Sequence, residues 1–274
     1  MAICHDPKLD KYVPITTNYM LSHLKVYLTM LLVTGALHSC FLFGPGMLPE
    51  LGTGPLSADS DWYQLSKIVQ PKIWLRNIVI AFFYQSYLTC FGEGLIVAQS
   101  LVTGLQTHAI MDNPCLTARS FSDFWGSRWN LVIHQVLKDG VYLPVRKHFP
   151  KYVAVLASFV ASGLFHEWLL WVFAYDVEGL YGCNEVDNDR FSVHCYQPSF
   201  GATSLFFVWQ AFLIALEFSF LGRLSFWKHL PDPLVTLLIL IIGGCTSHWF
   251  TEPYINSRFF LDAQILLNVF KAVK

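Results

Sequence analysis

The chain has 274 residues, of which 54% are hydrophobic, 16% aromatic and only 14% charged, and its mean hydropathy is +0.44. Soluble globular domains carry about 25% charged residues, so this composition excludes water as the main solvent and points to a bilayer. A formal net charge of -1 without a separate basic tract excludes nucleic acid as a partner and leaves lipid-soluble substrates as the better match.

In chain order, residues 1–22 form a polar segment that contains Pro and reads as neither a cleavable signal peptide nor a transit peptide. A spanning helix needs roughly 20 mostly apolar residues, and five blocks meet that length. The first runs from His23 to Phe43, with Lys25 at its start. The second, Ile78 to Leu101, carries Glu93 between Gly92 and Gly94, which predicts a break or a protein-lined cavity there. The third, Tyr152 to Ala174, holds His166 and Glu167 near its middle. The fourth is Phe200 to Leu221, with Glu217 near its end, and the fifth is Pro233 to Phe250, ending near His248. Between the second and third blocks, residues 102–151 mix aromatics with Arg and Lys and read as an interfacial or re-entrant helical segment. A short apolar tail from Phe259 suits the interface. The fold class expected is therefore all-α, a polytopic helical membrane protein with about five or more transmembrane helices in a single membrane domain over 1–274.

With the N-terminus in the cytosol, eleven of the eighteen Lys and Arg residues fall on the cytosolic side, among them Arg119, Arg128, Lys138, Arg146, Lys147 and Lys151. The positive-inside rule favours that orientation. The acidic loop 175–199 then lies on the other side with Cys183 and Cys195, which could pair if that side is oxidising.

An ionisable residue at membrane depth costs a few kcal/mol and is by default a functional-site hypothesis. His166 and Glu167, in VASGLFHEWLLWVF, meet that description. A neutral imidazole there can take a proton from a hydroxyl, the state a general base needs. The plainer alternative is that both residues only fix helix packing. A zinc hydrolase is disfavoured, because the fourth residue after His166 is Leu170 and the HExxH signature is absent. A second stretch, beginning at Arg119, predicts a helix capped by Ser122 or Asp123, starting near Phe124 and ending near Asp139. On it Trp125 and Trp129 share one side with Val132, and Asn130 and His134, four apart, share another. His134 and Asp139 also have an HxxxxD spacing, but on a helix they would not face the same way.

At these two stretches the sequence resembles the wax synthase branch of the membrane-bound O-acyltransferase superfamily. Residues 123–130, DFWGSRWN, resemble that branch's DFWGRRWN-type block, with Ser127 where Arg is common, and residues 162–167, SGLFHE, resemble its SGLxHE block. The likeness extends more loosely over about 111–260, through the stretch around Trp209 to WFTEP at Trp249, although members of the superfamily usually have more than five spans. The resemblance implies acyl transfer from acyl-CoA, as co-substrate and with no metal or other cofactor, to a lipid alcohol in the endoplasmic reticulum membrane. The acceptor could be a long-chain fatty alcohol giving wax ester, a sterol or a diacylglycerol. It also implies His166 and Asn130 as the catalytic pair, with Trp125, Arg128, Trp129 and Glu167 as substrate-binding or supporting residues. Arg128, Arg146, Lys147 and Lys151 could meet CoA phosphates or simply set topology. Glu93, Glu217, His108 and His248 fit packing better than a pore lining. The contrasting possibilities are a non-catalytic lipid-binding or transport protein and an inactive, shortened relative.

Overall fold

The computed structural model describes residues 3–6, 11–43, 68–174, 200–219 and 230–256. The loop with Cys183 and Cys195, Arg223 and Lys228, and the apolar tail from Phe259 lie outside the described residues. A two-stranded hairpin, β1 (His5–Asp6) and β2 (Lys11–Tyr12), precedes the helices α1 (Thr17–Phe43) and α2 (Pro71–Thr103). Short helices α3 (Pro114–Thr117), α4 (Phe121–Asp123), α5 (Leu131–Leu137) and α6 (Leu143–Arg146) follow. The remaining helices are α7 (Lys151–Ala174), α8 (Ala202–Ser219), α9 (Asp232–Gly244) and α10 (His248–Asn256). Among the described residues, α1, α2, α7 and α8 are each long and apolar enough to cross a membrane, and the bent pair α9–α10 makes a fifth candidate. The protein is an all-α polytopic membrane protein.

The hairpin bridges onto the chain after α2, at Ile3–Thr107 and Pro14–Leu105, and α1 begins six residues before His23, the start expected for the first span. Of the break or protein-lined cavity expected at Gly92–Glu93–Gly94, the break is absent, and α2 runs through without interruption. Pro71 opens the helix in its first turn and Gly104, at φ +69°, closes it with its N–H on Ser100 O, so the terminating signals lie at the ends. The two glycines instead admit neighbours. A Cβ on Gly92 would stand 3.0 Å from Ile110, and one on Gly94 2.9 Å from the Tyr27 ring. Between them the Glu93 carboxylate meets His23 Nδ1 at 2.6 Å, tying α2 to α1.

The fifth block is also two helices rather than one, meeting at 65°. Gly243 and Gly244 end α9, a turn closes with the Ser247 N–H on Gly244 O, and α10 departs in a new direction. Glycine and serine together are a recognised cause of sharp bends. The bend carries Phe250 and Tyr254 of α10 beneath α7 and α8, where they close the floor of the central site.

Candidate active site

The stretch 162–167 owes its pattern to two adjacent helical stripes. Residues four apart on a helix lie one above the other. Gly163 and Glu167 both face Ser204 at the start of α8: a Cβ on Gly163 would sit 2.7 Å from Ser204 Cα, and the Ser204 N–H donates to Glu167 Oε1 at 2.9 Å. The first N–H groups of a helix have no intrahelical acceptor, so this buried carboxylate both satisfies one and complements the positive helix end. Ser162 and His166, one position earlier in each case, are turned into the interior and line a cavity. Glu167 therefore holds α7 against α8 and does not touch His166. The tight Gly163 contact lets the two helices approach, and their approach sets the direction in which His166 points.

The His166 ring is held on three sides. Phe207 stacks on it with centroids 5.1 Å apart and 20° between planes, Phe250 meets it edge-on at 5.1 Å, and Nδ1 lies 2.8 Å from Tyr254 Oη. Nε2 is left without a protein hydrogen-bond partner among the described residues.

Asn130 reaches the same place from a different local structure than the predicted helix. Ser120, rather than Ser122 or Asp123, caps α4 by accepting the Asp123 N–H at 2.9 Å, and residues 124–128 widen into a π-helical turn. At Trp129 the chain becomes extended, and Asn130 adopts φ +42°, ψ +64° as the N-cap of α5. Asn is among the few non-glycine residues that tolerate this left-handed conformation. Asn130 thus stands at the start of α5 as its cap, where its carbonyl accepts the His134 N–H at 2.9 Å, and both side chains line one cavity. Three bonds to residues 110–112 fix the turn: Asp112 N–H to Arg128 O at 3.0 Å, Leu131 N–H to Ile110 O at 2.8 Å, and Asn130 N–H to Met111 Sδ at 3.1 Å. The Asn130 Oδ1 accepts the Ile133 N–H, which leaves the Nδ2 amide with no protein acceptor among the described residues.

Arg128 anchors this turn. Its Nε donates to Asp123 Oδ2 at 2.8 Å, and its Nη1 donates to Asp112 Oδ2 at 3.0 Å and Thr117 Oγ1 at 2.7 Å. A guanidinium so engaged by two carboxylates is a clamp. Ser122 is tethered from α8, its hydroxyl donating to Glu217 Oε1 at 2.6 Å. Trp125 donates its indole N–H to Gln210 Oε1, and Trp129 stacks on Phe124 with 16° between planes.

Two apolar cavities meet at these residues. One, of about 320 Å³, runs along α7 from Lys151 past Val155, Phe159 and Ser162 to His166, with Lys138 and Tyr142 on its other wall. Fifteen residues of helix separate Lys151 from His166, a length of about 22 Å. The other, of about 290 Å³, lies among α2, α7, α8, α9 and α10 and is walled by Ile78, Ala81, Leu169, Phe206, Ile239 and Leu240, among others. Trp125, Trp129, Asn130, His166 and Phe207 line both. Of the predicted cationic candidates, Lys151 lines a cavity, with its Nζ 3.6 Å from the Phe218 ring centroid, while Arg128, Arg146 and Lys147 line neither. Lys138, which the sequence marked only as a cytosolic-side charge, lines the first cavity. His134 lines it too, its imidazole held below the usual pKa by burial and then by the Lys138 charge. Glu93, Glu217, His108 and His248 line neither cavity. Among the described residues no three His, Cys, Asp or Glu side chains converge as metal ligands would. Tyr254 is the site residue that sequence reasoning missed, and its place in TEPY, beside WF at 249–250, was the available signal.

Comparison with known proteins gives the following. Residues 108–180, which contain both Asn130 and His166, match the membrane bound O-acyl transferase family. The chain is 38% identical over 81 residues to "Probable long-chain-alcohol O-fatty-acyltransferase 9" of Arabidopsis thaliana, covering 27% of this chain and 24% of that protein. It is 36% identical over 113 residues to the long-chain-alcohol O-fatty-acyltransferase of Simmondsia chinensis, covering 37% and 32%. A further Arabidopsis thaliana relative, "Probable long-chain-alcohol O-fatty-acyltransferase 6", is 26% identical over 162 residues, covering 56% and 40%. The chain thus spans less than half the length of each of these three relatives.

Proposed function

We propose, for a chain whose central segment belongs to the wax synthase branch of the membrane-bound O-acyl transferase superfamily, that it transfers a fatty acyl group from acyl-CoA to a long-chain alcohol. The observation that carries this reading is that His166 and Asn130 both line two adjacent apolar cavities. A two-substrate reaction between greasy chains needs two chambers and one shared reacting point. A cavity that merely stored one lipid would need no such junction.

In this reading the first cavity takes the thioester, because Lys138 and Lys151 line it and suit an anionic carrier, and the second takes the alcohol. The excess of Lys and Arg on the side of residues 102–151 supports a cytosolic opening, and an endoplasmic reticulum membrane fits a cytosolic acyl-CoA supply. His166 Nε2 takes the hydroxyl proton as the alcohol oxygen bonds to the carbonyl carbon, general-base help contributing roughly 10² to 10⁴-fold. The unengaged Asn130 amide N–H donates to the oxygen that becomes negative. When the C–S bond breaks, the departing thiolate recovers the proton from Nε2–H. The products are the wax ester and free CoA, and the imidazole is neutral again. Trp125, Trp129 and Phe207 keep water from the junction, where it would compete for the acyl group.

The test is to supply membranes carrying the full chain with labelled acyl-CoA and a panel of alcohols that includes long-chain primary alcohols, a sterol and a diacylglycerol. Labelled wax ester is the expected product. Ester on the sterol or glyceride alone would move the acceptor to that class, and no ester from any alcohol would overturn the proposal.

A further inference from the structure

A neutral imidazole has one N–H and one lone pair, and which ring nitrogen carries the proton is set by the hydrogen bond the other makes. Only a lone pair at Nε2 can act as the base described above. Nδ1 of His166 lies 2.8 Å from Tyr254 Oη, and the phenol can serve either as donor or as acceptor there. If the phenol donated, Nε2 would carry the proton and face the cavities as a donor, useless as a base. We infer that Tyr254 accepts the Nδ1–H of His166 and so fixes the tautomer in which Nε2 presents its lone pair to the junction of the two cavities.

The inference rests on the acyl-transfer reading and adds a positioning residue to it. Two features of the site besides the hydrogen bond support it. The ring cannot easily turn over to exchange its edges, because Phe207 covers one face and Phe250 abuts it edge-on. Tyr254 itself is 8% exposed and packs with Ile80, Phe83 and Leu170, so its oxygen is held in place and removed from bulk water. It belongs to α10, which the 65° bend directs under α7, so the bend is what delivers the phenol to the histidine. As the reaction proceeds, the Nδ1–H gains positive character and the bond to Tyr254 strengthens, which is help given in the transition state rather than in substrate binding.

The experiment compares Tyr254→Phe with the wild type for ester formation, at matched abundance and with the melting temperature recorded. Phenylalanine keeps the ring and removes the oxygen. The expected result is a loss of kcat of roughly three- to tenfold, the range of one neutral hydrogen bond, with KM for both substrates unchanged. In a His166→Ala background the same substitution should cause no further loss, the result expected of a residue whose effect on the rate passes through the imidazole. A second variant carries 3-fluorotyrosine at position 254, which preserves shape and hydroxyl but makes the oxygen a poorer acceptor. Its kcat should fall between those of the wild type and Tyr254→Phe. Wild-type kcat in Tyr254→Phe, or a raised kcat with fluorotyrosine, overturns the inference. If His166→Ala also retains its rate, the acyl-transfer mechanism fails with it. If His166→Ala is inactive and Tyr254→Phe is not, only the tautomer assignment fails.

Discussion

Gly163→Ala isolates the contact that aims His166. The new Cβ would stand 2.7 Å from Ser204 Cα, 3.1 Å from its Oγ and 3.2 Å from its Cβ, and the nearest of these is backbone that cannot rotate away. Restoring an ordinary contact near 3.4 Å requires α7 and α8 to separate by about 0.7 Å at that point. Overpacking of this kind costs about 1–3 kcal/mol, while replacing Gly by Ala inside a helix returns about 1 kcal/mol, so a net destabilisation of at most about 2 kcal/mol is expected. The effect on activity should be larger than the effect on stability. The Glu167–Ser204 bond lies one turn away and His166 sits between the two contacts in sequence, so the shift reaches the imidazole directly. Misplacement by about 1 Å can cost up to about 10²-fold in rate. The assay is ester formation per molecule of folded protein, with thermal unfolding measured alongside. Gly140→Ala is the control, because nothing lies within 4 Å of the Cβ it would add. Gly163→Ala with wild-type rate and melting temperature would refute the argument that this close approach positions the site.

Further outcomes follow from other parts of the site. Asn130→Asp keeps an oxygen for the Ile133 N–H and tolerates the left-handed backbone but removes the amide donor, so the rate should fall about 10² to 10³-fold with little change in melting temperature. Arg128→Lys should reduce kcat nearly as much as Arg128→Ala, because one ammonium cannot reach Asp123, Asp112 and Thr117 together; recovery of the wild-type rate by lysine would show that charge alone suffices. Glu167→Gln should retain most stability and activity through its amide oxygen on the Ser204 N–H, whereas Glu167→Ala should lose about 1–3 kcal/mol, read by thermal unfolding. The His134 imidazole has a folded-state pKa below its usual value, so the folded protein binds that proton less readily than the unfolded chain does. Stability should therefore fall as pH drops below about 6.5, and His134→Gln should fall less over the same range in melting temperature against pH.

Much of this architecture is written in the sequence at the level of hydrophobic blocks. The blocks holding Phe43, Leu101, Ala174 and Leu213 all appear as apolar helices, because a bilayer imposes length and polarity that a single sequence displays. What the blocks do not reveal is what the chain does inside them. Gly92 and Gly94 read as a break or a protein-lined cavity, but at each the absent Cβ makes room for Ile110 or Tyr27, a fact held by residues distant in the chain. The bend after Gly244 was hidden because the apolar run continues through it. The turn at Asn130 was hidden because its neighbours have the spacing of a helix, and the left-handed residue is stabilised by Met111, Ile110 and Asp112 from another segment. His166 stood out because an ionisable residue in an apolar block is conspicuous. Tyr254 did not, because a tyrosine near a helix end is ordinary at a membrane interface until its oxygen is seen beside the imidazole. The divergence of Glu167 from His166 was legible from helical geometry, but the partner that Glu167 meets, Ser204, was not.

The central claim is that His166 supplies the base at the meeting point of two lipid cavities. The measurement that bears on it most directly is ester formation from labelled acyl-CoA and a long-chain alcohol by the wild type and His166→Ala, at equal abundance and equal thermal stability. The account predicts loss of roughly 10² to 10⁴-fold in kcat for His166→Ala, with KM for either substrate little changed. A His166→Ala protein that forms ester at the wild-type rate would contradict it.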